Sequence, residues 1–429
     1  MTQKNSIERL KQHGVSAIPS GWMQSRVKYL GNYVNGYPFK PSDWSSEGRP
    51  ILRIQDLSGS SAEPNRFDGE IDPRYLIHRG EVLISWSASL GVYRWDGEDA
   101  WLNQHIFKVE VDRNRLCDDF FVWLAEWFIA EMSHEVHGST MQHLTADAFG
   151  GFPVLLPPEY QQRTIADYLD RETARIDALI AAKERLLELL AEKRRALVTR
   201  AVTRGLNPDA PMRDSGIPWL GEVPAHWEAV ALRFLVDLSS GSTPNTGKLE
   251  YWDGEIPWVS PKDMKSIEIA ESQDHITELA LSECSIHVIN PGAVLIVVRG
   301  MILSHSFPVA INTKPVTINQ DMKALRCKQM IEAYFLRDYL IGNEGHIVSL
   351  SDSSAHGTRR LDTEVLGRLE ILVPPLQEQK QIVTHIKETK LKLDTLHSAT
   401  ASSINLLKER RAALIAAAVT GQIDVGGTA

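Results

Sequence analysis

The apolar residues of this chain follow two rhythms that alternate along its length. From Glu159 to Thr203 there is no glycine or proline, and Ile165, Leu169, Ile176, Leu179, Leu186, Leu190 and Leu197 recur at steps of three, four or seven. That spacing gathers them on one stripe of a long helix and predicts a heptad seam. A second stripe runs through Ile382, Ile386, Leu393, Leu396, Leu407 and Leu414. A helix over 159–203 would span about 67 Å at 1.5 Å per residue, with Asp170 the point where a break could fall. Such a stripe needs a partner to bury it, and the nearest one is the other copy. Residues 21–143 and 226–360 read differently, because Gly, Pro, Asn and Asp cut them into short runs rich in Val, Ile, Trp and Tyr. That texture predicts two β-rich domains with few helices, the expected ones being DDFFVWLAEWFIAEM from Asp118 and EAYFLRDYL from Glu332.

The two rhythms recur because the chain is a tandem repeat. Residues 144–204 lie on 361–421 without a gap, at a constant offset of 217. VLLPPEYQQRTIADYL from Val154 matches ILVPPLQEQKQIVTHI from Ile371, and RRALVTRAVT from Arg194 matches RAALIAAAVT from Arg411. Each copy carries a proline pair and a glutamine four residues after its second proline, Gln162 and Gln379. Upstream the repeat loosens but keeps its order: Trp22 with Trp227, RGEVLISW from Arg79 with NPGAVLIVV from Asn290, and NQHIFKV from Asn103 with NQDMKAL from Asn319. Helical parts that stay alike beside other parts that diverge imply one scaffold carrying two different readers.

Composition narrows the classes. With 429 residues and 43% hydrophobic content the chain can fill several cores. The most apolar segment, AVLIVVRGMIL from Ala293, is interrupted by Arg299 and falls well short of the ~20 residues a membrane helix needs, so a soluble, cytoplasmic protein without a membrane partner is expected. Cys117, Cys284 and Cys327 are too scattered for a disulfide framework or a zinc site with paired ligands. The net charge is −9, and none of the segments 1–143, 206–360 or 361–429 carries a basic excess, while 144–205 holds 10 basic against 9 acidic groups. Charge therefore does not announce nucleic acid, and DNA affinity would have to come from local patches or from partners.

The motifs nevertheless resemble one family. VPPLQEQKQI from Val373, the helix ends LIAAAVTGQI from Leu414 and LVTRAVTRGL from Leu197, and SSGSTPNTGKLEYWDGEIPWVSPKDM from Ser239 are together similar to the specificity subunits of type I restriction-modification systems. The first copy departs from the pattern, with Glu159 and Tyr160 where Leu376 and Gln377 stand, and NGYPFKPSDW from Asn35 lacks the Gly241–Pro244 run. The resemblance implies an α+β fold in which two β-rich target recognition domains are separated by two long antiparallel, coiled-coil-like helices. The expected divisions are 1–143, 144–205, 206–360 and 361–429, alternately reader and conserved helical region. It further implies that each reader takes one half of an asymmetric bipartite site on double-stranded DNA, and that two methylation subunits dock on the helices. Those subunits would carry S-adenosylmethionine, this chain binding no cofactor or metal, and a motor-nuclease subunit would join where unmodified DNA is cut.

Catalytic motifs are weak by comparison. GSTPNTGKL from Gly241 has five residues between its glycines and Leu249 after the lysine, where a phosphate-binding loop needs four and a hydroxyl residue. Asp263 with Lys265 and Asp321 with Lys323 have the acid–lysine spacing of some nucleases but no counterpart in the first half. NPDAP from Asn207 lacks the second proline and the aromatic of an adenine methyltransferase motif. A fused enzyme, or a protein-only scaffold built on the helices, are the competing readings; the first lacks its motifs and the second would not need two large divergent domains. The loop residues expected to meet DNA are Arg299, Ser304 and His305, then Thr358, Arg359 and Arg360, with Gly138, Ser139, Thr140 and Gln142 as the first-half analogue of the last group. Arg194, Arg195, Arg410 and Arg411 are expected on a solvated or partner-facing surface, and Trp22, Trp227 and Trp258 in the core.

Overall fold

The computed structural model describes residues 3–13, 15–57, 63–87, 89–135, 146–353 and 357–425. Four helices carry the architecture: α1 (Asp118–Glu135), α2 (Glu159–Arg204), α3 (Ala333–Gly342) and α4 (Leu376–Val419). The chain divides into two compact units, residues 1–184 with 402–429, and residues 185–401. Each unit therefore takes one β-rich region, one portion of α2 and one portion of α4.

In the first unit, strands β1 (Gly31–Asn35), β2 (Val82–Ser85), β3 (Gly91–Arg94) and β4 (Ile106–Val111) form an antiparallel sheet in the order β1-β4-β2-β3. A second small sheet sets Arg49–Leu52 parallel to Ala100–Leu102, flanked by Arg66–Phe67 and Leu76–Ile77. Phe120, Phe121, Leu124 and Phe128 of α1 fill the core, joined by Ile165 and Leu169 of α2 and Ile415, Ala418 and Val419 of α4.

The second unit repeats this plan. Strands β5 (Val236–Ser240), β6 (Val294–Val297), β7 (Arg299–Gly300), β8 (Val309–Asn312), β9 (Met322–Cys327), β10 (Asp352–Ser353) and β11 (Arg359–Arg360) include a sheet ordered β5-β9-β6-β8 that ends on Glu268–Ile269. Its companion sets Trp252–Val259 parallel to Thr317–Ile318, with Asp274–Ile276 on the flank and an Ile289–Val316 bridge in the place of Leu76–Ile77. The core joins Val294–Val298 and Phe335, Leu336, Tyr339 and Leu340 of α3 to Val198, Ala201 and Val202 of α2 and to Ile382 and Ile386 of α4.

Within each unit the two helix portions run antiparallel. In the first, Asp177 meets Arg411 at 2.9 Å and Glu184 meets Lys408 at 3.5 Å; in the second, Arg194 meets Asp394 at 3.1 Å. The burial pattern bears out the heptad expectation only in part. Ile165, Leu169, Ile176, Leu190, Ile382, Ile386 and Leu393 of the expected stripes are buried, Leu197, Leu407 and Leu414 half-buried and Leu179, Leu186 and Leu396 exposed, whereas the buried Ile165, Ile176 and Val198, with the half-buried Leu187 between them, recur every 11 residues, as do the buried Ile382, Leu393, Ile404 and Ile415. Eleven residues make three turns of 3.67, close to the natural 3.6, so the seam stays in line without the left-handed winding a heptad demands. Helix α2 also runs unbroken through Asp170.

The helix exits are built alike. Gly205 after α2 and Gly421 after α4 both take left-handed φ, +71° and +69°, where a side chain would be strained. A Cβ on Gly205 would lie 3.1 Å from the Trp227 ring and one on Gly421 3.1 Å from Trp22, so each helix stops against its unit's tryptophan. Trp227 and Trp258 are buried as expected, while Trp22 is half-buried and donates to Gln161 at 2.9 Å.

Candidate nucleic-acid interface

The proline pair and its glutamine have a physical explanation. Prolines fit where a helix begins, because the missing N–H has no partner there in any case. Pro157 ends the strand Pro153–Leu156 that pairs with Met23–Arg26, and Pro374 follows Glu370–Val373, which pairs with Glu228–Ala231. One turn into each helix the glutamine is almost fully buried. Gln162 Oε1 accepts from the Cys117 N–H (2.9 Å), and its Nε2 donates to the carbonyls of Arg115 (2.9 Å) and Pro157 (3.0 Å). Gln379 Oε1 accepts from the Glu332 N–H (2.8 Å), and its Nε2 donates to Met330 (3.0 Å) and Pro374 (2.8 Å). Each amide thus clamps the start of a long helix to the start of its reader's own helix, α1 or α3.

From these clamped frames the readers project their loops. Arg299 and Gly300 of β7 pair antiparallel with Arg360 and Arg359 of β11, and β11 pairs in turn with β10. The two sequence segments singled out around Arg299 and Arg360 therefore lie side by side. Ser304 and His305 follow at the exposed end of the short turn Met301–Ser304. Arg359 turns inward, donating to the Val348 carbonyl (3.3 Å) and Ser351 Oγ (3.5 Å), and Thr358 is half-buried. Arg360 is exposed, and among the described residues its side chain makes no ion pair. Gly138, Ser139, Thr140 and Gln142 lie outside the described residues. Lys323, which sequence reasoning weighed only as a nuclease lysine, sits on β9 opposite Ile296 and donates to Ser240 Oγ at 3.0 Å. Its ammonium is held below the ordinary lysine range by partial burial and by the nearby Arg360 charge.

The residues weighed for catalysis have other tasks. Asp263 caps a short turn, accepting from Ser260 N (2.8 Å) and Oγ (2.9 Å) and from Gln273 N (2.9 Å). Lys248 spends its donors on Glu283 (2.6 Å) and the Tyr251 hydroxyl (2.9 Å) rather than facing an empty loop. Among the described residues no three His, Cys, Asp or Glu side chains converge as a metal site would require. The three cysteines are unpaired and half-buried, and burial pushes the Cys327 thiol up to about 12, away from the reactive thiolate.

A comparison with known proteins fits this duplicated arrangement. The family described as the type I restriction modification DNA specificity domain matches residues 19–189 and again residues 224–405. The chain belongs to this family. The MjaVIII specificity subunit of Methanocaldococcus jannaschii is 23% identical over 428 residues, 97% of this chain and 96% of that one. The EcoBI specificity subunit of Escherichia coli is 26% identical over 211 residues, 48% of this chain and 44% of its own length. The MjaIX specificity subunit is 32% identical over 169 residues, 38% of each chain, so the chain spans less than half the length of these two relatives. Among solved structures, a chain from work on complex assembly and conformational transition of the type I R-M system shares the fold, with a TM-score of 0.71 at 18% identity, covering 95% of this chain and all of that one. The HsdS subunit from Thermoanaerobacter tengcongensis matches with a TM-score of 0.56 at 17% identity, over 96% of this chain and all of its own. No helix among the described residues of this specificity-family chain is long and apolar enough to cross a membrane.

Proposed function

We propose that this chain is the DNA sequence-recognition subunit of a type I restriction-modification complex. Each β-rich region, 1–143 and 206–360, reads one half of a bipartite, asymmetric site on double-stranded DNA. The helices set the spacing between half-sites and dock two methylation subunits, which bring S-adenosylmethionine; a motor-nuclease subunit joins where cutting occurs. The chain itself contributes no catalytic group and works in the cytoplasm with its DNA. Arg299, Ser304, His305 and Arg360, with Thr358 and Arg359 behind them, serve as contacts of the second reader, and Gly138, Ser139, Thr140 and Gln142 as those of the first.

The observation that carries this reading is the duplication: two units with one topology and one helix clamp, whose exposed reader surfaces differ. Linking two short readings through a fixed spacer turns weak half-site affinities into one specific recognition event. The docking of two partners is supported by exposed leucines that the repeat places equivalently. Leu179 (52% exposed) and Leu406 (64%) belong to the first unit, and Leu396 (46%) and Leu189 (45%), each 217 residues away from its counterpart, to the second. Apolar side chains left open twice on charged helices suit two copies of one partner. Methylome sequencing of a host expressing this chain with its methylation subunit tests the reading. The expected result is one new bipartite methylated motif. Methyl transfer by the isolated chain, or no new motif from a stably assembled complex, would overturn it.

A further inference from the structure

The two units can be superposed position by position through their hydrogen bonding, and at the reader surface the equivalent positions carry opposite chemistry. Across three neighbouring strands the registers are Asn35, Phe107, Ile84 in the first unit and Ser240, Lys323, Ile296 in the second. One step further, Trp86 N donates to the His105 carbonyl (3.1 Å) as Val298 N donates to the Asp321 carbonyl (2.8 Å). Phe107 therefore stands where Lys323 stands, and Trp86 where Val298 leads into Arg299.

In the second unit this surface is cationic. Arg299 and Arg360 lie directly opposite each other on β7 and β11, an arrangement of like charges that costs sheet stability and calls for a compensating role. Three carboxylates stand nearby, one of them in a long ion pair with Arg299. Asp321 is 3.9 Å from Arg299 Nε, beyond hydrogen-bond reach; Asp362 is engaged in capping the Glu364 N–H (2.7 Å); and Asp352 faces Arg360 across the third strand. The donor forks of both guanidinium groups remain open to an acceptor. In the first unit the same surface is aromatic. Trp86 stacks on Phe107 (ring centroids 5.6 Å, 24° between planes) and meets the His105 ring at 5.1 Å, while its Nε1 donates to Asn35 Oδ1 (3.1 Å) just as Lys323 donates to Ser240. His105 is held at a left-handed φ of 75°, a conformation that costs energy for a residue with a side chain and so marks a site where geometry is imposed.

We propose that the two readers hold their half-sites by different forces: the second through Arg299 and Arg360, backed by Lys323, on phosphates and guanine edges, the first through the Trp86–Phe107 face on apolar base features such as thymine methyls. The inference rests on the DNA-recognition reading above and adds its chemistry. Cations that replace condensed counterions make binding salt-dependent, whereas apolar contact does not.

The test uses the full chain in complex with its methylation subunits and two duplexes, one keeping only the first half-site and one only the second. Each phosphate-paired cation adds about 0.9 to the slope of log affinity against log salt, so two arginines add about 1.8, roughly a twelvefold extra loss between 50 and 200 mM. The second-half duplex should show that excess over the first-half duplex, and R299A combined with R360A should abolish it. The converse variant, Trp86→Ala, should weaken binding of the first-half duplex without changing its salt slope. The methylation subunits are identical at both halves, so their own contacts cancel in the comparison. Equal salt dependence for both duplexes in a complex that methylates its motif, or an unchanged slope in the double variant, would overturn this inference alone. A wild-type complex with no sequence preference would overturn it together with the reading it rests on.

Discussion

Replacing Gln379 by methionine keeps nearly the same volume and length while removing every hydrogen bond of the helix clamp. The Glu332 N–H and the carbonyls of Met330 and Pro374 would lose their partner in an environment where water has no access. A net contribution of about 0.5–1.5 kcal/mol per bond, with the stranded N–H at the upper end, gives a loss of about 2–4 kcal/mol. For a unit of this size that lowers the unfolding midpoint by roughly 5–15 °C. Gln162→Met should cost a similar amount in the first unit, because its three bonds also run to one backbone N–H and two backbone carbonyls, those of Cys117, Arg115 and Pro157. Gln381→Met, two residues along on the exposed face of α4, is the control and should change the midpoint by less than about 2 °C. Gln379→Glu should be worse than methionine at neutral pH, since a buried carboxylate would face two carbonyls. Its folded-state pKa would be raised, so the extra penalty grows as pH rises above the unfolded value near 4.3 and fades below it. Thermal and urea unfolding of the purified chain followed by circular dichroism read all of these. A Gln379→Met chain as stable as the control would show that the clamp is only a place-holder for packing.

The remaining expectations use the same two-copy logic. Arg411 reaches Asp177 at 2.9 Å and Glu126 and lies against Trp123, whereas its counterpart Arg194 pairs with Asp394 on an exposed surface, so Arg411→Ala should lower urea-unfolding stability by about 1–3 kcal/mol and Arg194→Ala by less than about 1. Ile176→Lys should cost at least about 3 kcal/mol because it places a charge in the 11-residue seam, while Leu179→Lys with Leu406→Lys should leave folding intact and weaken co-purification with the methylation subunit. In the first unit Gln422 accepts from the Ser16 hydroxyl (2.5 Å) and backbone N–H (3.1 Å) with no peptide link between them, so a chain joined from Ala429 to Met1 by a flexible linker, which keeps the buried Leu10 and Val15, and opened between Asn207 and Pro208 should still fold and support the same methylated motif. Unfolding curves and motif sequencing of that permutant decide the point, and an insoluble product would contradict it.

Much of the fold was legible in the sequence because its signals are local. The proline pairs, the exit glycines and a long stretch free of both residues fix the ends of α2 and α4 whatever they pack against, and the offset of 217 identified the second copy of each signal. The phase of the seam was less legible. Leucines at 179, 186 and 396 satisfy a heptad, and only the packed structure shows that isoleucine, valine and leucine 11 residues apart face inward instead. The misreading follows from composition: a helix that also leaves leucines exposed offers two overlapping stripes, and periodicity alone cannot say which one is buried. Of the helix arginines expected on a solvated or partner-facing surface, Arg194 is exposed while pairing with Asp394, and Arg411 is half-buried between Asp177 and Glu126 of its own unit.

The reader surface was legible only in part, and for a different reason. Arg299 and Arg360 were named from separate loops, but the cross-strand pairing that brings them together joins positions 61 residues apart and has no sequence signature. The aromatic face escaped notice although the motif match of NQHIFKV with NQDMKAL already set Phe107 against Lys323. A search for similarity treats such a mismatch as noise. In a duplicated protein whose scaffold is held constant by the same glutamine, the same glycine stop and the same strand order, the mismatch carries information. Phe107 still packs inward on Tyr33 and Phe149, and Lys323 is half-buried and bonded to Ser240, so each copy fits its own side chain into the shared frame. The frame leaves only the outward part of such a side chain to be chosen by what lies outside the protein, so the half-buried rim of Trp86 in one copy and the exposed Arg299 and Arg360 in the other are where a difference in targets would be written.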